Sequence, residues 1–259
     1  MPRVLVVDVR AQQPRWAITP AAEARLRAVT PSGWTVRMVQ APSSADGDGS
    51  KAPSDEVMAA VRDAEAYFGF GMARPLWMAA PRLKWVHSAA AGVASLLFPE
   101  MLASDVVITN SAGVHAIPIA EQALAGVLAL LRGLDIAGAL QREGRWSREP
   151  FLDPASPMRE IGGLRALVLG AGGLGAALGA RLSALGVTVS GSRRRPERGT
   201  APGFERIVGP DAWRALLPES DIVALCAPST AETQQMLGAA ELDALPRGAI
   251  VVNMARGAL

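Results

Sequence analysis

Short apolar runs alternate with segments of helical periodicity along almost the whole chain, the pattern of parallel sheets covered by helices on both faces. In the first part, strands are predicted at 4–8, 35–39, 66–70, 85–87 and 106–109, with helices near 20–29, 54–62 and 93–98. Residues 43–53, rich in Ser, Asp, Gly and Pro, predict a mobile surface loop. A long apolar helix is predicted over 117–141, opening with Pro118 in its first turn and long enough to bridge two lobes. A polar, Pro-containing connection follows over 144–163. A second alternating series then begins: strands at 166–169, 187–190, 205–208, 222–225 and 249–253, with helices at 174–185, 211–217 and within 231–244.

Composition narrows the class. The chain has 259 residues, half of them apolar and 19% charged, which predicts a globular protein of one or two domains. The formal charge is only +2, with arginine supplying nearly all the cations. A broad nucleic-acid surface needs clustered cations, so no nucleic-acid partner is expected. The single cysteine, Cys226, excludes an internal disulfide and a cysteine-rich zinc site, and no metal is expected. The N-terminus enters an apolar run with no basic-then-apolar leader. The most apolar stretch, 116–131, contains Pro118, Glu121 and Gln122, and so reads as a buried helix and not a membrane span. The expectation is a cytoplasmic protein without membrane contact.

One string carries chemistry. Gly170-Ala171-Gly172-Gly173-Leu174-Gly175 fits G-x-G-x-x-G and lies between a predicted strand and a predicted helix. In that setting the first glycine permits a tight turn, the second lets backbone approach a pyrophosphate, and the third lets helix pack on strand. The helix start then offers free N–H groups and partial positive charge to phosphate. An acid that would bind the ribose 2′-hydroxyl of NAD is expected about 20 residues on. None is there: the strand runs into Gly191-Ser192-Arg193-Arg194-Arg195, and Glu197 comes too late. Guanidinium groups pair with phosphate and Ser192 can add a donor, so NADP is the expected cofactor.

Taken in order, further motifs resemble those of the D-isomer-specific 2-hydroxyacid dehydrogenase family, which includes glyoxylate and hydroxypyruvate reductases. Ser88-Ala89-Ala90-Ala91-Gly92-Val93 is similar to the family's substrate-carboxylate loop. Asn110-Ser111-Ala112-Gly113 leads to Ile119-Ala120-Glu121 at the start of the long helix. After the glycine loop come Cys226-Ala227-Pro228-Ser229-Thr230 and Thr233, and then Val252-Asn253-Met254-Ala255-Arg256-Gly257, close to the family's N-x-x-R-G. The likeness covers essentially the whole chain from Val4.

The resemblance implies an α/β fold of two lobes: a flavodoxin-like substrate lobe over 1–113 and a doubly wound Rossmann cofactor lobe over 114–259, incomplete at its C-terminal end. It implies hydride transfer between NADP(H) and a small 2-oxo or 2-hydroxy acid such as glyoxylate or hydroxypyruvate, by a homodimer. Arg256 matches the family's catalytic arginine. Backbone near Ala91 and Gly92 would bind the substrate, with His115 as a further substrate contact. Gly170, Gly172, Gly173, Leu174, Gly175, Ser192, Arg193, Arg194, Cys226, Ala227, Pro228, Thr233, Met254 and Ala255 would bind the cofactor. The family's catalytic Glu and His lie beyond the arginine motif, and this sequence reaches Leu259 before either. The only histidines are His87, expected to be packed, and His115. The strand at 249–253 would be left as an exposed edge. Two explanations stand: a piece of a longer enzyme, which is preferred, or a natural short chain that binds cofactor without turnover.

Overall fold

The computed structural model describes residues 3–42, 52–153, 156 and 158–259, so most of the loop expected at 43–53 lies outside the described residues. The chain divides into two compact units, Met1–Val114 and His115–Leu259.

In the first unit, elements alternate as β1 (Arg3–Asp8), α1 (Pro20–Val29), β2 (Trp34–Met38), α2 (Asp55–Ala60), β3 (Ala66–Gly69), α3 (Arg74–Met78), β4 (Trp85–Ser88), α4 (Pro99–Leu102) and β5 (Val107–Asn110). The five strands pair in parallel in the order β2-β1-β3-β4-β5, the flavodoxin-like arrangement. Local chemistry sets the helix starts. Thr19 accepts the Ala22 N–H and Pro20 occupies the first turn of α1, while Ser54 accepts the Val57 N–H of α2. The helix expected at 93–98 is instead a 3-10 turn, Ala94–Leu96, followed by α4. Pro99 is the cause. It forces Phe98 into extended backbone (ψ 158°), so helix cannot run through it and must restart after it. The core holds Val4, Val6, Tyr67, Val86 and Leu96. The buried Tyr67 hydroxyl donates to Asp8 Oδ2 at 2.8 Å, and burial, with Asp8 adding to it, raises the phenol well above its ordinary pKa.

The second unit begins with α5 (Ala116–Leu131), α6 (Leu134–Arg142) and α7 (Glu149–Leu152). The single helix expected over 117–141 is therefore two helices, bent by 74° at their junction. Gly133 makes the break: its φ of +62° is left-handed, the conformation in which glycine ends helices at no steric cost. Among the described residues no single helix is long and apolar enough to cross a membrane.

The unit continues with β6 (Arg165–Leu169), α8 (Gly173–Ala184), β7 (Thr188–Ser192), β8 (Arg206–Val208), β9 (Ile222–Leu225), α9 (Ala239–Asp243) and β10 (Ile250–Asn253). The helix expected at 211–217 is a 3-10 run, Trp213–Glu219, because Pro218 lacks a donor and disfavours α-geometry at Leu217. Residues 231–244 hold a 3-10 turn, Ala231–Thr233, ahead of α9. The sheet is parallel in the order β10-β9-β6-β7-β8, the arrangement of the first five strands of a dinucleotide-binding domain. Its central strands β6 and β9 are buried on both faces, which is why they read as unbroken apolar runs. α5 and α8 supply Val127, Leu178 and Leu182 to one face; Trp213, Leu217 and Leu259 pack on the other. β10 is an outer strand whose exposure alternates along its length.

Candidate cofactor site

Because all five strands of the second sheet run the same way, the loops after β6, β7, β9 and β10 leave from one edge. In open α/β sheets ligands bind outside that carboxyl edge, where the strand order reverses. Here the reversal falls between β6 and β9.

The loop after β6 is the glycine string. Gly170 has φ +105°, and a Cβ there would lie 2.6 Å from the Ala227 nitrogen and 2.7 Å from the Cys226 carbonyl carbon. The β6 and β9 loops therefore touch backbone to backbone. A Cβ on Gly175 would lie 2.2 Å from the Gly170 carbonyl oxygen, so α8 packs directly on the turn. Gly172 and Gly173 differ: both are exposed, and a Cβ on either meets nothing within 4 Å. The protein itself does not need glycine at 172. A bound group approaching the backbone would. The first helical bond joins the Ala176 N–H to the Gly172 carbonyl at 2.7 Å, which leaves the N–H groups of Gly173, Leu174 and Gly175 ahead of it in the first turn.

The loop after β7 carries the arginines. Ser192 is buried, and its carbonyl accepts the N–H groups of Gly170 (3.0 Å) and Ala171 (2.8 Å), so its backbone pins the glycine turn. The Arg193 guanidinium donates to the Gly199 carbonyl and closes its own loop. Its Nε is buried and, among the described residues, has no hydrogen-bond partner. Arg194 is exposed and extends towards Glu232, with 4.0 Å between Nη2 and Oε2.

After β9, burial of Cys226 pushes its thiol up to about 12, which makes it an inert small side chain at pH 7. Ala227 is buried and Pro228 exposed. Thr233 accepts the Thr230 N–H (2.8 Å) and donates to the Pro228 carbonyl (2.6 Å), so its hydroxyl shapes this loop. After β10, Met254 and Ala255 pack partly into the core clusters on either face of the sheet. Arg256 is exposed, with Nη1 donating to the Ala255 carbonyl at 2.7 Å. Asn253 organises this turn: its Oδ1 accepts the Ala255 N–H and its Nδ2 donates to the Arg256 carbonyl, both at 2.9 Å.

Thus the fold gathers the glycine loop, Ser192–Arg194, Cys226–Thr233 and Met254–Arg256 on one sheet edge. Ala91 and Gly92 belong to the first unit, in the loop after β4, where Asn110 Nδ2 holds the Ala91 carbonyl at 2.7 Å. His115 stands at the N-terminus of α5 and is exposed. His87 is packed in β4, its Nδ1 2.8 Å from Thr109 Oγ1 and its ring 5.1 Å from Phe68; burial lowers its pKa. Two residues escaped the sequence reading as site residues. Asn253 carried a local signal, since Asn closes turns onto backbone two residues on. Glu232 carried none, because only tertiary pairing brings it to Arg194.

Comparison with known proteins places this arrangement. Residues 124–259 match the family model described as D-isomer specific 2-hydroxyacid dehydrogenase, NAD binding domain. A glyoxylate reductase of Thermococcus litoralis is 32% identical over 186 residues, covering 70% of this chain and 54% of that protein. A glyoxylate/hydroxypyruvate reductase A of Salmonella heidelberg is 32% identical over 187 residues, covering 70% and 57%. The chain thus spans a little over half the length of these curated relatives. Among solved structures, a D-isomer specific 2-hydroxyacid dehydrogenase of Xanthobacter autotrophicus, in complex with NADPH and MES, superposes with TM-score 0.72 at 26% identity, covering 100% of this chain and 74% of that one. A family protein of Aeromonas salmonicida reaches TM-score 0.77 at 22% identity over the same shares, a likeness of fold. Both sheet orders, the glycine turn and a family match over more than half of its residues agree: this chain belongs to the D-isomer specific 2-hydroxyacid dehydrogenases.

Proposed function

We propose that the protein transfers a hydride between NADP(H) and C2 of a small 2-oxo or 2-hydroxy acid, such as glyoxylate or hydroxypyruvate. The observation that carries this reading is the sheet edge itself, with an exposed Gly172 that the fold does not need and Arg193 and Arg194 in place of an acid after β7. The residues fit a dinucleotide. The space at Gly172 suits an approaching diphosphate, and the buried Arg193 Nε awaits an acceptor. When bound, the nicotinamide supplies or takes the hydride.

The chain's own residues do the rest. The N–H groups of Gly173, Leu174 and Gly175 would hold the diphosphate, helped by the helix dipole. Arg193 and Arg194 would hold the 2′-phosphate together with Ser192, while Ala227, Pro228, Met254 and Ala255 would wall the site, with Cys226 and Thr233 shaping the loop. Arg256, steadied by Asn253, pairs with the substrate's carboxylate and carbonyl oxygen, where a fixed guanidinium stabilises charge that develops as the ketone is reduced. The side chain of His115, at the start of α5, would be a further substrate contact. The names of the relatives from Thermococcus and Salmonella support the substrate class.

The test is titration with NADPH and NADH, followed by glyoxylate or hydroxypyruvate. Tighter binding of NADPH and its oxidation on adding the acid are expected; preference for NADH would overturn the cofactor assignment. A second reading is an NADP-binding module without turnover. NADPH binding without oxidation would select it.

The reading includes a homodimer in the cytoplasm. Leu130, Leu134, Trp146 and Leu152 are all exposed, Trp146 at 92%, and offer apolar surface that a second copy would cover. Light scattering is expected to give twice the chain mass; a monomer at micromolar concentration would refute it.

A further inference from the structure

Arg194 and Glu232 approach each other from loops on opposite sides of the glycine turn. Arg194 follows β7, Glu232 lies in the 3-10 turn after β9, and β6 runs between those two strands. Their 4.0 Å contact therefore spans the end of the strand that delivers the glycine loop. The 3-10 turn that carries Glu232 is fixed by its neighbours, since Thr230 and Thr233 cap it reciprocally. Both side chains are about three-quarters exposed, at 74% and 75%, so an arriving ligand reaches either one.

On the reading of Arg194 given above, we infer that Glu232 sets cofactor specificity by competing with the ribose 2′-phosphate for Arg194. The free site holds Arg194 on a carboxylate. NADP(H) must break that pair and bring its phosphate dianion beside Glu232, whereas NAD(H) brings only a hydroxyl, which a carboxylate accepts. Glu232 therefore narrows the preference that the two arginines create. It supplies the acid missing from the β7 strand end, delivered from another loop.

An exposed ion pair adds little to folding, so its removal reads out in ligand choice and not in unfolding. The experiment measures Kd for NADPH and NADH at low ionic strength with the full chain as wild type, Glu232→Gln, Arg194→Ala and the double variant. Glu232→Gln is expected to tighten NADPH by about two- to fivefold, the size of an exposed pair. NADH binding should stay level or weaken, and the gain should vanish when Arg194 is alanine. Equal shifts for both cofactors, or a gain that persists without Arg194, would overturn the inference while leaving the NADP assignment standing. If Arg194→Ala weakens both cofactors alike, the assignment of Arg194 to the 2′-phosphate fails, and the role of Glu232 falls with it.

Discussion

Gly172→Ala is expected to fold like the wild type and to bind dinucleotide about tenfold to several-hundredfold more weakly, whereas Gly170→Ala is expected to damage the fold itself. Both positions belong to one six-residue string, yet their surroundings are opposite. At 172 the backbone is extended and a methyl would enter open space, so the chain bears no cost. The same methyl occupies the volume through which a diphosphate would reach the helix N–H groups. Losing one charge-assisted bond, worth about 1.5–3 kcal/mol, gives the stated loss. At 170 the methyl meets Ala227 and Cys226 backbone at 2.6 and 2.7 Å with φ at +105°. Neither backbone can yield without separating β6 from the β9 loop, and an alanine at that φ adds strain of its own. A loss of about 3–5 kcal/mol follows. Urea denaturation of both variants, with NADPH titration of Gly172→Ala, decides the matter. Wild-type affinity in Gly172→Ala would remove the glycine loop from the binding site.

Replacing both Arg193 and Arg194 by alanine is expected to weaken NADPH by about a hundredfold or more while NADH changes by less than about threefold. Each guanidinium lost removes at least one charge-assisted bond to a phosphate that only NADPH carries. The two arginines are not equivalent in the structure. Arg193 also closes the loop onto the Gly199 carbonyl, so its removal loosens the turn. Arg194 has no such duty, and the single variant Arg194→Ala isolates the phosphate contribution. Isothermal titration with both cofactors gives the ratio. Equal losses for NADPH and NADH would refute the assignment.

Much of the fold is legible in the sequence. Central strands such as Ile222–Leu225 are buried on both faces and read as continuous apolar runs, and the glycine string announces a strand–turn–helix junction through spacing alone. Proline acts against helical periodicity here: Pro99 and Pro218 each leave 3-10 geometry where the apolar spacing predicts helix. The break at Gly133 was hidden because apolar periodicity continues into α6, and periodicity reports which face is buried and not where the axis turns.

By itself, the sequence determined the alternation of strands and helices, the glycine turn and the arginines beyond β7, because each depends on residues adjacent in the chain. Tertiary structure alone decided which glycines serve the fold and which leave room for a ligand, since that depends on atoms brought in from the β9 loop. It also decided that Asn253 shapes the turn carrying Arg256 and that Glu232 stands against Arg194. Contacts between distant segments arise only when parallel strands align their ends, and no local pattern encodes that distance.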